Sequence, residues 1–276
     1  SEFQSGYRMD HSCETATLAI YNDLLCLSDS QSKVVLLLLD LSAAFDTVNH
    51  PLLLKKLEEN FGLTGNVLMW FKSYLSNRSF TVTIGKSRSK KCYLRIGVPQ
   101  GSILGPILFI LYTKELVEIA KEHGFNIHLY ADDTQLYIEF NPISQDLTRV
   151  EERIIRCLRE ITSWMTRNKL KLNPNKTEAL IAQVRSKFSN NTVQSTDVLR
   201  PKIEGETIDP LPVVKSLGVK FDEFLTLEDH VNSVLQCCYS NLRNLGVIGG
   251  KLNFDLKKQL IHCLIFSKLD YCNGLF

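Results

Sequence analysis

The stretch Val34-Val35-Leu36-Leu37-Leu38-Leu39-Asp40 is a run of six apolar residues that ends on an acid. A short run of valine and leucine bounded by polar residues is typical of a strand that is buried on both faces of its sheet. The sequence therefore predicts a central strand with Asp40 at its carboxyl end.

Two further acids are predicted at a hairpin turn. Apolar residues alternate along Phe125–Tyr130 and again along Thr134–Phe140, as expected for two strands that each bury one face. The residues between them place Asp132 and Asp133 at the tip of a tight hairpin. An acid at a strand end, or a pair of acids in a turn, is usually only a solvated polar group, so neither feature alone predicts chemistry.

The remaining pattern predicts an α+β fold. Helices are predicted over Leu52–Asn60, Val67–Leu75, from Pro106 through Glu122, over Leu147–Met165, from a capping box at Thr226 to Leu245, and from Phe254 to the terminus. Strands are predicted over Ser79–Ile84 and Lys91–Ile96, joined as a hairpin, and over Thr177–Gln183, with a loop over Ser186–Thr196. Strands mixed with helices up to residue 225, and helices alone afterwards, indicate one α+β unit with a helical appendage.

Composition excludes several classes of protein. The 276 residues are 44% apolar and 22% charged, which is typical of a globular chain. No apolar run approaches the roughly 20 residues that a membrane-spanning helix needs, so a membrane protein is not expected. The eight cysteines include no C-x-x-C pair, which favours reduced thiols in an intracellular compartment over a zinc site or a disulfide scaffold.

The charge is nearly balanced, with 32 basic and 30 acidic residues. A polyanionic partner would therefore have to meet local basic patches rather than a uniformly basic surface. Two such patches are Lys86–Arg95 and Arg167–Lys176. Each is either a surface that contacts nucleic-acid phosphates or an ordinary solvated face.

If folding brings Asp40, Asp132 and Asp133 together, their charges raise one another's pKa unless cations share the site. Carboxylate oxygens are the ligands that Mg²⁺ and Mn²⁺ prefer. Two such ions, about 3.5–4 Å apart, can activate an attacking hydroxyl and stabilise a leaving phosphate.

Three blocks of sequence around these acids resemble the A, B and C blocks of reverse transcriptases. They are Leu39-Asp40-Leu41-Ser42-Ala43-Ala44-Phe45-Asp46, the Gly/Pro-rich stretch 97–106, and Tyr130-Ala131-Asp132-Asp133. The sequence is most similar to LINE-type retrotransposons without long terminal repeats, with which it shares the strings at 4–8, 43–48 and 172–177. The string at 216–219 resembles the family's E block, a hairpin that grips the primer. The resemblance runs in order over nearly the whole chain.

The resemblance implies the palm of a right-hand polymerase, an antiparallel sheet with packed helices, together with partial fingers and the start of a helical thumb. Residues 1–33 would be an incomplete fingers-side segment. Residues 34–225 would be the palm, with fingers-side helices and a hairpin inserted at about 50–96, and residues 226–276 would begin the thumb. Because the chain starts almost at its Gln4–Arg8 string, we expect a fragment that lacks the family's upstream basic fingers hairpin, an endonuclease domain and a cysteine-rich tail.

The resemblance also implies roles for individual residues. Asp40 and Asp132 would bind two Mg²⁺ (or Mn²⁺) ions, with Asp133 as a third catalytic carboxylate and the Leu41 carbonyl as a further ligand. Nucleotide-binding residues would be Leu41, Phe45 under the sugar, Gln100, Gly101, and Lys176, which would protonate the departing pyrophosphate. Template–primer contacts would come from Gly97, Pro99, Tyr130 and Gly218.

Simpler interpretations of several of these residues stay open. Phe45 could be a core aromatic, and Gly97–Gly101 could form a plain turn before a helix. Lys176 could be a surface lysine, and Gly218 could be a strand glycine at a bulge.

The implied activity is that of an RNA-directed DNA polymerase that extends a DNA primer with dNTPs on an RNA template, in the nucleus and without a membrane partner. Two alternatives remain. One is an inactive nucleic-acid-binding remnant of such a polymerase. The other is a carboxylate nuclease, which ranks last because Phe45 and the Gln100 turn would have no evident role in it.

Overall fold

The computed structural model describes residues 2–28, 32–142, 145–184, 199–203 and 205–276. The predicted loop over Ser186–Thr196 lies outside these residues. Within the described part of the chain, no helix combines the length and the apolar character that crossing a bilayer would require.

The described residues form an α+β fold, as predicted. The α-helices are α1 (Cys13–Leu27), α2 (His50–Glu59), α3 (Gly65–Leu75), α4 (Leu104–Tyr112), α5 (Glu115–Glu122), α6 (Leu147–Arg167), α7 (Glu228–Ile248), α8 (Phe254–Ile261) and α9 (Ser267–Leu269). The strands are β1 (Lys33–Leu39), β2 (Ser79–Phe80), β3 (Thr83–Ile84), β4 (Ser87–Arg88), β5 (Cys92–Tyr93), β6 (Asn126–Tyr130), β7 (Asp133–Phe140), β8 (Glu178–Ala182), β9 (Lys202–Ile203), β10 (Glu206–Thr207), β11 (Val213–Ser216) and β12 (Val219–Asp222).

The centre of the fold is an antiparallel four-stranded sheet with the order β6-β7-β1-β8. The side chains of β1, one of its two inner strands, belong alternately to two hydrophobic clusters, because successive side chains of a strand point to opposite faces of the sheet. Val35, Leu37 and Leu39 belong to one cluster, and Val34 and Leu36 belong to the other. The prediction of a strand buried on both faces is therefore confirmed.

The two clusters are covered by different elements. Helices α2, α4, α5 and α6 contribute to the cluster that contains Leu37, as with Leu53 and Phe109. Helix α1 and the β11–β12 hairpin contribute to the cluster that contains Leu36, as with Ile20 and Phe221. The sheet is thus sandwiched between a helical layer and a mixed layer.

Two predictions about the middle of the chain need correction. The helix expected from Pro106 through Glu122 is two helices, α4 and α5, and α4 begins at Leu104 rather than after the proline. Pro106 is tolerated there because the N–H groups of a first helical turn have no intrahelical partner. The hairpin expected over 79–96 is present, but its strands are pairs of residues: β2 pairs with β5 and β3 pairs with β4.

Helix α1 was not predicted. It begins with a capping box in which the Ser12 hydroxyl accepts from the Thr15 amide and the Thr15 hydroxyl accepts from the Ser12 amide. Threonine replaces the usual Glu or Gln in this box, which weakens its signal in the sequence.

The predicted start of α7 is wrong. Helix α7 begins at Glu228, after Leu227 in the left-handed region, and Thr226 does not form the expected capping box. The Thr226 hydroxyl and amide instead donate to the carboxylate of Asp222, which also accepts from the amide of Leu227. The last predicted helix is divided in the structure. Helix α8 ends at Ile261, and a π-helical turn, His262–Phe266, connects it to α9.

Candidate active site

The register of the central sheet brings the predicted catalytic acids to one end of it. Leu39 of β1 pairs with Thr134 of β7, so Asp40 follows β1 alongside the start of β7. Tyr130 pairs with Asp133, which leaves Ala131 and Asp132 as the two residues of the turn. Asp132 is therefore at the tip and Asp133 begins β7, rather than both acids sharing the tip as predicted.

The carboxylates of this end of the sheet influence one another. Burial raises the pKa of Asp133, and the negative charges of Asp132 and Asp40 raise it further. This is the behaviour expected of acids gathered without cations between them. A divalent cation at this position would relieve the repulsion.

An open cleft of about 360 Å³ adjoins these acids. The residues that line it come from β1, β7, the turn before β8, β8 and the β11–β12 hairpin: Leu38, Leu39, Asp40, Asp133, Thr134, Gln135, Asn175, Lys176, Glu178, Lys215, Ser216 and Leu217. Acidic and basic side chains thus face the same solvent-filled space, which is the composition expected for a site that binds a metal-complexed phosphate.

Lys176 lies in a short 3₁₀ turn, Pro174–Lys176, beside the carboxyl end of β1. The amide of Asn173 donates to the Asp40 carbonyl at 2.9 Å, which fixes the turn against that strand end. The Lys176 Nζ atom lies 3.9 Å from Asp40 Oδ2. Both side chains are partly exposed, so this ion pair contributes little stability but places the ammonium in the cleft.

The donor set suits a hard divalent cation. Among the residues that the structure describes, no group of three His, Cys, Asp or Glu side chains is arranged to hold one ion in common. The residues that could hold such an ion are Asp40 and Asp132, with Asp133 beside them and the Leu41 carbonyl on the next residue of the chain. Carboxylate and carbonyl oxygens are the donors that Mg²⁺ prefers, so these residues fit the ion by their chemistry.

Phe45 lies in a 3₁₀ turn, Ala44–Asp46, five residues after Asp40. The ring is half-buried, and its centroid is 4.8 Å from that of Phe109 in α4. One face of Phe45 therefore packs on the core, as the simpler interpretation requires, and the remainder of the ring is accessible.

The segment 97–101 is held against this turn by hydrogen bonds. The Gly97 amide donates to the Val48 carbonyl at 2.7 Å, and Gln100 Nε2 donates to Asp46 Oδ1 at 2.8 Å. Gly97 has a φ of 84°, and a Cβ at this position would lie 2.9 Å from the Asp46 carbonyl oxygen. Only glycine allows both this backbone conformation and this approach.

Pro99 and Gly101 form the turn that precedes α4. The Pro99 carbonyl accepts from the Ser102 hydroxyl at 2.7 Å, and Gly101 has a φ of 78° with open space around it. This open space lets the backbone be approached closely from solvent. The geometry is equally compatible with the simple turn, so the nucleotide and template roles of these residues stay predictions.

Gly218 lies at the tip of the β11–β12 hairpin, with a φ of 87°. The turn is covered by the C-terminal segment, because the Tyr271 hydroxyl donates to the Leu217 carbonyl at 2.6 Å. A Cβ on Gly218 would come within 2.9 Å of Tyr271 Cε1. Gly218 is therefore a turn glycine rather than the strand glycine of the simpler interpretation.

The N-terminal string supports the tip of the β6–β7 hairpin. The buried side-chain oxygen of Gln4 accepts from the amides of Ala131, at 3.1 Å, and Gly6, at 2.7 Å. A Cβ on Gly6 would lie 2.5 Å from the Ala131 nitrogen. These contacts explain why a string so far from the acids in sequence belongs to the same site.

Tyr130 is the last residue of β6 and interacts with helix α1. A hydrogen bond with Cys13 of α1, together with burial, raises the pKa of Tyr130 to about 12, so its hydroxyl stays protonated. Its predicted template–primer contact stays a prediction.

Sequence reasoning missed Gln135 and Lys215 as residues of the cleft, whereas Ser216 belongs to the string at 216–219 that the resemblance had singled out. Gln135 is buried, its amide nitrogen donates to the Ser216 hydroxyl at 3.3 Å, and its Oε1 is a buried acceptor that has no hydrogen-bond partner among the described residues. Gln135 follows Asp133 and Thr134 in the polar first half of β7, so no distinct signal for it was present in the sequence. Nothing local in the sequence placed the β11–β12 hairpin beside it.

Residues 1–221 match the family model described as "Reverse transcriptase (RNA-dependent DNA polymerase)". Among curated proteins, the chain is 28% identical over 273 residues to the "Probable RNA-directed DNA polymerase from transposon BS" of Drosophila melanogaster, covering 95% of this chain and 29% of that protein. It is 26% identical over 284 residues to the "RNA-directed DNA polymerase from mobile element jockey" of the same species, covering 98% of this chain and 29% of that protein. The chain thus spans less than a third of these relatives.

Solved structures share the fold at low sequence identity. A telomerase from Candida albicans, in complex with a fragment of telomeric RNA, superposes with a TM-score of 0.53 at 15% identity, covering 98% of this chain and 44% of that one. Apo telomerase from Candida tropicalis, without its C-terminal domain, superposes with a TM-score of 0.52 at 14% identity, covering 82% of this chain and 40% of that one. The predicted palm-type polymerase fold is thereby confirmed.

Proposed function

The chain belongs to the reverse transcriptase (RNA-dependent DNA polymerase) family, and from this premise we propose that it is the core of an RNA-directed DNA polymerase. In this proposal it extends the 3′-hydroxyl of a DNA primer with dNTPs on an RNA template. The observation that carries the proposal is the convergence of Asp40, Asp132 and Asp133 with Lys176 at one end of the central sheet.

Asp40 and Asp132 would hold two Mg²⁺ or Mn²⁺ ions, with the Asp133 carboxylate and the Leu41 carbonyl as additional oxygen donors. Bound there, the ions lower the pKa of the primer hydroxyl and neutralise the triphosphate. The raised pKa of Asp133 supports this assignment, because a site of mutually repelling carboxylates gains from a bound cation.

The other side chains of the site position the substrates. Lys176 would donate a proton to the departing pyrophosphate, since its ammonium already lies beside Asp40. The accessible part of the Phe45 ring would lie under the sugar and leave no room for a 2′-hydroxyl. Gln100 and Gly101 would contact the incoming nucleotide from the segment that is bonded to Asp46.

RNA is the template that we propose. The relatives are named as RNA-directed DNA polymerases, and one telomerase of the same fold was solved with an RNA fragment. A nuclear location, which the family resemblance alone implies, is a further proposal that microscopy of the fluorescently tagged protein would test.

The decisive experiment is primer extension on an RNA template in Mg²⁺ with the Asp132→Asn variant. We expect product formation to fall by about a thousandfold or more, because the variant removes a charged ligand worth several kcal/mol in the transition state. Asp229→Asn is the matched control, since Asp229 is an exposed acid at the start of α7.

Equal, negligible product from the original chain and from Asp132→Asn would overturn the enzyme proposal and favour the inactive remnant. Metal-dependent cleavage of a labelled duplex without dNTPs, lost in Asp132→Asn, would favour the nuclease instead.

The role of Phe45 has its own test. In Phe45→Val the smaller side chain should admit ribonucleotides, so that incorporation of ribonucleotides relative to deoxynucleotides rises by at least tenfold. The control is Phe254→Val, since Phe254 is exposed at the start of α8. Unchanged discrimination would assign Phe45 to the core alone.

A further inference from the structure

Positive charge is concentrated in one segment of the chain. Residues 60–100 contain seven Lys or Arg and no Asp or Glu, whereas all other residues together contain 25 Lys or Arg and 30 Asp or Glu. A nearly neutral protein therefore carries a basic segment on an acidic remainder. Such segregation creates a local positive potential that attracts polyanions.

The geometry of this segment exposes its charge. It consists of α3 and the cationic hairpin, which we define as residues 78–95, including β2 to β5. Six of the seven basic side chains lie in the cationic hairpin, and all seven are exposed. Register pairs Thr83 with Arg88 and Ser79 with Tyr93, so the charges follow both strands and the turn between them.

Aromatic rings are exposed among these charges. Trp70, Phe80 and Tyr93 have exposed fractions of 54%, 53% and 63%. Large rings are usually mostly buried, so three on one segment require an explanation. Lys91 Nζ lies 5.3 Å from the centroid of the Tyr93 ring, which places a cation beside an accessible ring face.

The base of the cationic hairpin is joined to the candidate active site. His50 Nε2 and the Gly97 carbonyl are 2.7 Å apart, and the Val98 amide donates to the Phe45 carbonyl at 2.9 Å. A strand that lies along the cationic hairpin would therefore be led toward the turn that carries Phe45.

We propose that the cationic hairpin is a binding site for single-stranded nucleic acid that works independently of the catalytic carboxylates. Basic side chains that follow a backbone, interleaved with rings on which bases stack, are the usual composition of such sites. The phosphodiester chemistry is common to RNA and DNA, so the site takes either strand without reading its sequence. The proposal concerns binding alone and does not rest on polymerase activity.

The test measures binding of the 276-residue chain to a fluorescent 12-nucleotide oligo(U) RNA and oligo(dT) DNA by anisotropy, in EDTA and without dNTPs. The charge variant is Lys86→Gln/Lys90→Gln. Its matched control is Arg156→Gln/Arg159→Gln, which removes two exposed charges from α6, where Glu151, Glu152 and Glu160 alternate with them. The stacking variant is Tyr93→Leu.

Each lost phosphate contact lowers the slope of log affinity against log salt by about 0.7 for a single strand. The charge variant should therefore bind roughly 20-fold more weakly in 0.1 M salt, with a slope smaller by about 1.4. Tyr93→Leu should bind about tenfold more weakly, while the slope of log affinity against log salt stays unchanged. Asp132→Asn should bind at least as tightly as the original chain, and thermal unfolding should be unchanged in all these variants.

Equal losses in the charge variant and the α6 control would overturn the proposal, because binding would then reflect net charge alone. Tighter binding of a 12-base-pair duplex, together with no effect of Tyr93→Leu, would also overturn it in favour of a duplex site. Lost binding in Asp132→Asn would assign the interaction to the catalytic cleft.

Discussion

Strand β1 and helix α7 have clear apolar patterns in the sequence, but the structure buries them very differently. Five of the seven residues of β1 are buried: Val34, Val35, Leu36, Leu37 and Leu39. In α7, which has 21 residues, the buried residues are His230 and Cys238. Val231 and Leu242, which the periodicity placed on the inner face, are 38% and 45% exposed.

The difference arises from what covers each element. β1 has a neighbouring strand on each side and a hydrophobic cluster on each face. α7 buries His230 in its first turn, where the ring stacks on Phe276 at 6.1 Å between centroids, and Cys238 in its middle, beside the Ile265 carbonyl. Periodicity therefore indicates which side of an element is apolar, but not whether another element packs on it.

The largest effect that tests this comparison is expected for Leu37→Ala. Leu37 is completely buried, so the variant loses transfer free energy and leaves a cavity between packed layers. We expect the free energy of unfolding to fall by about 3 kcal/mol. Urea denaturation followed by circular dichroism measures it, and a loss below about 1 kcal/mol would contradict the burial of β1 on both faces.

A smaller, pH-dependent effect is expected at His230. Burial lowers the pKa of His230, and the charges of Lys220 and Lys215 lower it further. The unfolded chain then binds a proton more readily than the folded chain, so stability is present above the ordinary value of 6.5 and is lost as pH falls toward the lowered pKa.

His230→Asn keeps an acceptor for the Lys220 amide, which lies 3.4 Å from His230 Nδ1, but it cannot be protonated. The drop in unfolding free energy between pH 7 and pH 5 should therefore be smaller in this variant. Equal pH dependence in the two proteins would show that His230 does not anchor α7 in a neutral form.

The smallest effect is expected for Leu242→Ala, which deletes the same atoms as Leu37→Ala. Leu242 is exposed, and surface substitutions usually change stability by less than about 0.5 kcal/mol. A loss comparable to that of Leu37→Ala would show that α7 is covered in solution, for example by a second copy of the chain. Unfolding at two protein concentrations would separate that case from burial within one chain.

Local sequence was sufficient for the elements whose structure depends on near neighbours. The β6–β7 hairpin and β1 followed from period-two alternation and from a short apolar run, and helix α6 followed from three- and four-residue steps. Helix α1 was missed because its apolar face is weak, and the start of α7 was mispredicted because Asp222, in the preceding strand, binds Thr226.

The sequence by itself determined the chemical types of the site: two separated acidic blocks, a glycine-rich turn, and a lysine after an Asn-Pro-Asn string. Tertiary structure decided that Leu39 stands opposite Thr134, which places Asp40 beside the β6–β7 turn, and that Gln135 and Lys215 share its cleft. The physical reason is the distance along the chain over which each effect acts. Propensity and periodicity act over a few residues, whereas strand register is selected by burying side chains that lie about a hundred residues apart in the chain.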